Sequence, residues 1–332
     1  MRPFLRLNLR PNPRHGRPAW LAISVALVLS ACGGAASPAP TITGSAPASS
    51  ANTGGSAAPV ASGPPIAVIG TENFYADLLT QIGGSRVTAA SLLNDPNADP
   101  HAFESSPQDA ALVADAKLVI VNGLGYDSFM DKLLGASSRP DRVVVNVQQV
   151  LGVADDVNVH VWYDPATMPM VAAAATDALS TIEPQNAAYF AAQEQAYLAT
   201  LKPIGDKIAA LKAAYAGKPI AFTEDVAGYL TARIGLDIKS PLGFMKAVEE
   251  GTDPPPADVA VELDLFTTRA VKVLLYNSQV TTPITVRIHD MAQQDGVPIV
   301  GVAETIPPAY HTYAEWQLGQ LDALGQALAA GG

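Results

Sequence analysis

The stretch Ser106–Asn122, SPQDAALVADAKLVIVN, sets a helix and a strand side by side. Ser106 is placed to cap a helix, Pro107 suits the first helical position, and Asp109 puts an acid at the third. Leu118–Asn122 is a short apolar run and reads as a strand. The alternation continues outward in both directions. Ile66–Ile69 is a strand followed by the amphipathic segment Phe74–Ile82, closed by Gly83-Gly84. Val87–Leu93 and Val143–Val147 are further strands. Short apolar runs alternating with helical patterns are the signature of βαβ units and mainly parallel sheets.

Beyond this set lies the Ala-rich stretch Pro184–Ala216, broken only by Pro203 and Gly205. It reads as an extended helical connector with a kink at Pro203. A second set follows, with strands at Pro219–Thr223, Val271–Tyr276 and Pro298–Ala303. Its helices are expected at Ala257–Ala270, Ile284–Gln294 and Tyr313–Ala329, and Asp253–Pro256 is a loop. The expected fold class is α/β, with two lobes, each a mainly parallel sheet flanked by helices, joined by a long connecting helix. The lobes take residues 66–183 and 217–332, and the connector takes 184–216. Ligands of such open sheets sit at strand carboxyl ends, so the cleft between the lobes is the expected site.

The N-terminus is an address. Arg2, Arg6, Arg10, Arg14 and Arg17 precede the apolar run Ala19–Leu29. As a helix that run rises only about 16 Å, half of the roughly 30 Å hydrocarbon core, so it fits a secretory leader and not a span. It ends in Leu29-Ser30-Ala31-Cys32, which resembles the bacterial lipobox. Residues 1–31 are then a lipoprotein signal peptide and Cys32 the lipidated first residue. Residues 32–65, nearly all Ala, Ser, Gly, Pro and Thr, read as a flexible tether, because so little apolar area cannot offset the entropy of ordering. Past the leader, 15 basic residues face 31 acidic ones. That balance excludes nucleic acid as a partner, and the single cysteine excludes a disulfide framework.

Four places could hold a metal. Asp99-Pro100-His101 and Asn158-Val159-His160 each put a histidine in a loop ahead of a helix. Glu224 follows the strand Pro219–Thr223, and Glu304 follows Pro298–Ala303. Two imidazoles and two carboxylates make a mixed nitrogen and oxygen set suited to borderline divalent ions. Each position also has a plain structural reading. A lone loop histidine is often a surface group, and an acid after a strand is often a helix-start residue, as Asp225 is expected to be. Spacing alone leaves the two readings side by side.

The motifs resemble the metal-binding solute-binding lipoproteins of bacterial ABC importers, the zinc/manganese family. The resemblance rests on Asp99-Pro100-His101 with Phe103-Glu104 and Ser106-Pro107, on Asn122-Gly123-Leu124-Gly125, and on His160-Val161-Trp162 with Asp164-Pro165. Tyr229-Leu230, Arg233 and Gly235-Leu236 extend it more loosely. It implies that His101 and His160 are the ligands of the N-terminal lobe. It places Glu224 where zinc-type members carry a third histidine and manganese-type members a glutamate. Glu304 stands where the family usually has aspartate, one methylene shorter. The Gly123-Leu124-Gly125 pair is a structural turn, since the third glycine of a dinucleotide fingerprint is missing.

The resemblance further implies an extracytoplasmic protein held at the cell surface or in the periplasm by its lipid. It would work as a monomer with the permease of an ABC importer. The cargo would be Mn2+ or Zn2+, with Fe2+ also allowed. Two bidentate carboxylates plus two imidazoles would offer six donors, which leans toward manganese; the same groups bound through one oxygen each make a tetrahedral zinc site. No H-E-x-x-H, G-x-S-x-G or Walker A sequence is present, so an enzyme is not expected. A surface metalloenzyme, such as a hydrolase, and a metal-binding adhesin are the alternatives from other classes; turnover of an ester would mark the first, and host binding independent of the four ligands the second. His289 reads as structural and His311 as a surface residue.

Overall fold

The computed structural model describes residues 62–331. The leader, Cys32 and the tether up to residue 61 lie outside the described residues. The N-terminal lobe runs β1 (Ile66–Gly70), α1 (Asn73–Gly83), β2 (Val87–Ala90), α2 (Pro107–Asp115), β3 (Leu118–Val121), α3 (Phe129–Ala136), β4 (Val143–Asn146), α4 (Val147–Leu151) and α5 (Thr167–Ile182). The connector is α6 (Ala187–Tyr215). The C-terminal lobe runs β5 (Pro219–Phe222), α7 (Gly228–Ile234), β6 (Asp237–Ile238), α8 (Leu242–Glu249), α9 (Pro256–Thr267), β7 (Leu274–Asn277), α10 (Pro283–Gln294), β8 (Ile299–Val302) and α11 (Tyr313–Ala330).

Each lobe holds a four-stranded sheet, ordered β2-β1-β3-β4 and β6-β5-β7-β8. All pairings are parallel. The two sheets thus repeat one topology. In such an order the crevice opens beyond the strand carboxyl ends where the winding reverses, between β1 and β3 and between β5 and β7.

Local chemistry explains the elements. Leu118–Val121 is buried along its whole length, as a central parallel strand requires. Ser106 and Asp109 form the capping box of α2: the Asp109 N–H donates to Ser106 Oγ at 3.2 Å, and the Ser106 N–H donates to Asp109 Oδ2 at 2.7 Å. The buried residues of α6 are Phe190, Tyr197, Ile204, Ile208 and Leu211, a narrow stripe at heptad-like spacing. Helices α1, α5 and α11 all pack on this connector.

Some expectations needed correction, and the short strand β6 had not been expected at all. The strand expected over Val87–Leu93 stops at Ala90, because the N–H groups of Leu92 and Leu93 both turn to the Thr71 carbonyl. Strand β6 has only two residues, too few to leave a pattern. Asp225 does not start a helix: α7 begins at Gly228, with Ala227 as its N-cap.

The lobes meet across an aromatic seam. Phe74 of α1 lies 6.1 Å from Trp316 of α11 across the boundary and stacks within its own lobe on Trp162, with ring centroids 4.8 Å apart. Polar ties cross the same boundary. The Tyr163 hydroxyl donates to the Ala303 carbonyl at 2.7 Å, and Tyr313 donates to the Trp162 carbonyl at 2.6 Å. The Asn73 side chain exchanges two hydrogen bonds with the backbone of Ile306. One continuous core therefore includes residues of both sheets.

The connector carries a removable weakness. Gly205 lies in the interior of α6, it is exposed, and a Cβ added there would meet nothing within 4 Å. Gly205→Ala should therefore stabilise the protein by about 0.5–1 kcal/mol, raising the thermal midpoint by roughly 1–4 °C. A lowered midpoint would show that the connector is not helical at this position.

Candidate metal centre

The two histidines are presented by the same local device. Asp99 Oδ1 accepts the His101 N–H at 2.8 Å, and Asn158 Oδ1 accepts the His160 N–H at 2.8 Å. In each case the side chain two residues upstream folds the loop into an Asx turn and aims the imidazole inward. Asn158 does more. Its Oδ1 also lies 2.8 Å from His160 Nδ1, while its Nδ2 donates to the Asp225 carbonyl at 2.6 Å. The amide orientation is thereby settled, so Nδ1 of His160 carries a proton toward Asn158 and Nε2 is the nitrogen turned to the cleft.

The carboxylates come from strand ends. Glu224 stands two residues past β5 and Glu304 two residues past β8. Nε2 of His101 lies 3.3 Å from Glu224 Oε1 and 3.2 Å from Glu304 Oε2. Nε2 of His160 lies 3.6 Å and 3.2 Å from the same two oxygens. One donor atom from each of the four residues falls within 4.8 Å of all the others. His160, Glu224 and Glu304 have no exposed side-chain surface, whereas His101 retains 20% and forms the open side. A cavity of about 520 Å³ leads to it, with Asp99, Glu249 and Glu250 in its wall.

Sequence reasoning found these four and missed their supports. Asn277, at the end of β7, donates from Nδ2 to Glu224 Oε2 and to Glu304 Oε1, both at 2.7 Å. Gln279 Oε1 accepts the Glu304 N–H at 2.6 Å. The Tyr126 hydroxyl donates to Glu304 Oε2 at 3.0 Å. Tyr126 is delivered by the Gly123-Leu124-Gly125 turn, whose three residues all have positive φ. Asp127 pins that turn by accepting the N–H groups of Asn122 and Gly123. The signal for Asn277 was present in the run Leu274-Leu275-Tyr276-Asn277, a polar residue ending an apolar strand just as the two glutamates do. His289 and His311 lie elsewhere: His289 edges the Tyr276 ring on α10, and His311 is exposed.

The electrostatics follow from crowding two acids in a dry space. Burial and the Glu304 charge both raise Glu224. Burial also opposes charge on Glu304, but hydrogen bonds from the two imidazoles outweigh it and hold this carboxyl well below its usual range. Burial likewise works against a charged His101, yet its bonds to Glu224 and Glu304 prevail and push the imidazole up to about 11. His160 is raised for the same reason. Without an ion, protons on the imidazoles supply the positive charge that the carboxylates require.

Residues 68–327 match the family described as zinc-uptake complex component A, periplasmic. The manganese-binding lipoprotein MntA of Halalkalibacterium halodurans is 25% identical over 210 residues, covering 60% of this chain and 68% of that one. Among solved structures, the periplasmic zinc-binding protein TroA from Treponema pallidum superposes with a TM-score of 0.69 at 21% identity, over 80% of this chain and 99% of that one. The SBP FpvC of Pseudomonas aeruginosa in complex with Mn2+ gives 0.68 at 20% identity, over 81% and 100%. At these identities the structural likeness establishes the fold.

The proton bookkeeping can be tested without any ion. The His101 imidazole should stay protonated through neutral pH, and its contribution to stability should be complete below about 6.5 and lost as pH rises through 11. In Glu304→Gln the titration, followed by NMR of the ring protons, should fall toward the ordinary histidine range. A wild-type His101 that titrates normally would contradict the close carboxylate contacts.

Proposed function

The chain belongs to the family of the periplasmic zinc-uptake complex component A, and from that membership we propose that it captures a divalent transition-metal ion in the inter-lobe cleft and delivers it to the permease of an ABC importer. The observation that supports this most directly is the meeting of His101, His160, Glu224 and Glu304 from four separate loops. Two carboxylates balance the charge of a divalent ion, and imidazole with carboxylate suits Zn2+, Mn2+ and Fe2+. Four protein donors close the coordination sphere, whereas a catalytic metal keeps a position open for water or substrate. The site is therefore one of capture and release, with ATP hydrolysis left to partner subunits. The acidic wall of the cavity leading to His101 concentrates cations locally, an effect that salt screens beyond about 8–10 Å.

The same reading places the protein outside the cytoplasm as a monomer, tied to the membrane by a lipid on Cys32 and the segment 32–65. No helix among the described residues is long and apolar enough to cross a membrane. Cys32→Ala should move the protein from the membrane fraction to the soluble fraction; retention of this variant in the membrane would remove the lipoprotein reading.

Binding of an ion to the folded state alone stabilises that state by about 4 kcal/mol at a thousandfold excess over Kd. The thermal midpoint should rise with zinc or manganese and return on chelation. Glu224→Gln preserves size but leaves one carboxylate against a divalent charge, so the rise should be lost or strongly reduced. Asp225→Asn is the control and should leave it nearly intact. A midpoint that ignores both metals in the wild type would overturn the proposal, and loss in Asp225→Asn alone would move the ligand by one residue.

A further inference from the structure

We infer that Asn277 is a specificity-determining residue whose amide holds Glu224 and Glu304 to one ligating oxygen each, favouring a four-coordinate ion such as Zn2+ over an oxygen-demanding ion such as Mn2+. This rests on the proposed metal-binding function and deepens it.

The argument begins with the hydrogen-bonding capacity of the amide. Its Nδ2 carries two protons, and both are spent, one on Glu224 Oε2 and one on Glu304 Oε1. Its Oδ1 accepts the Gln279 N–H at 3.0 Å, and its backbone N–H donates to Thr223 Oγ1 at 3.0 Å. Asn277 has no exposed surface. Every polar group it can use toward the site is therefore committed, and the Gln279 N–H on Oδ1 fixes which way the amide faces.

The oxygens it takes are the ones turned from the imidazoles. The other two, Glu224 Oε1 and Glu304 Oε2, approach His101 and His160 at 3.2–3.6 Å, and Glu304 Oε2 also accepts the Tyr126 hydroxyl at 3.0 Å. An ion between the imidazoles thus meets one oxygen from each carboxylate. Presenting both oxygens to the ion would require a carboxylate to rotate out of its present alignment with the Asn277 amide and weaken a buried hydrogen bond. That loss is costly because Asn277 has no exposed surface at which water could replace the bond. Only the His101 side opens to the cavity.

The ion's demands then decide the outcome. Zinc is satisfied by four nitrogen and oxygen donors in a tetrahedron, while manganese favours a larger oxygen-rich shell. Donor count alone leaned toward manganese through bidentate carboxylates. The Asn277 bridge works against that route and adds to the intrinsic preference for zinc over manganese. A glutamate pair can in this way serve a zinc-type site.

The test compares Zn2+ and Mn2+ affinities, by competition with a chromophoric chelator, in the wild type and in Asn277→Leu and Asn277→Ser. The Kd ratio favouring zinc should shrink by about tenfold or more in both variants, equivalent to about 1.4 kcal/mol, chiefly through tighter manganese binding. X-ray absorption of the manganese-loaded wild type should show one oxygen per carboxylate. It reports on the wild type even if a variant fails to fold. Binding of both ions with an unchanged ratio, or bidentate carboxylates on manganese in the wild type, would overturn the role of Asn277 and leave the proposed function standing. A wild type that binds neither ion would overturn both.

Discussion

Two carboxylates that repel each other are buried side by side, and the architecture around them exists to make that arrangement tolerable. Glu224 and Glu304 have no solvent to disperse their charge. Asn277 bridges them from one side, and the imidazoles of His101 and His160 face them from the other. Burying an acid without such partners is expensive, and the group neutralises instead of staying charged. The partners come from different strands and loops, so the cluster forms only when both sheets are complete. Parallel order brings the strand carboxyl ends of each lobe to one edge, and the two edges face each other.

The chain passes between the lobes once, through α6, which leaves their separation free as far as covalent geometry goes. The aromatic seam removes that freedom. Phe74 and Tyr163 meet Trp316 across the boundary at centroid distances of 6.1 and 5.6 Å, with Trp162 packed on Phe74 on one side and Tyr313 on Trp316 on the other. Such pairs are each worth about 0.5–1.5 kcal/mol beyond the area they bury. The Arg233–Asp164 pair and the Asn73–Ile306 exchange hold the same boundary. The four side chains His101, His160, Glu224 and Glu304 are consequently held close together by packing that lies outside the cluster itself.

Much of this was legible in the residues. The capping box of α2, the apolar strands β3 and β5 and the long connector each carry a local signal, because caps and periodicity act over one or two turns. The two histidines were legible for the same reason, since Asp99 and Asn158 lie two residues upstream and shape the loops by local hydrogen bonds. The end of β2 was not, because Leu92 and Leu93 are drawn off by Thr71, 21 and 22 residues away in sequence. Nor was Asp225, whose residue type suits a helix start but which stands three residues ahead of α7.

The sequence by itself determined the alternation of strands and helices, the parallel class of the sheets and the residue types of the four side chains that cluster in the cleft. Those follow from side-chain periodicity, turn chemistry and residue type, all of which are local. Tertiary structure alone decided that Glu224 and Glu304 meet, which oxygen of each faces the imidazoles, and that Asn277 joins them. Glu224 and Asn277 are 53 residues apart and Asn277 and Glu304 are 27 apart. No local rule couples such positions. Their geometry is set by the register of β5, β7 and β8 and by the aromatic packing that fixes one lobe against the other.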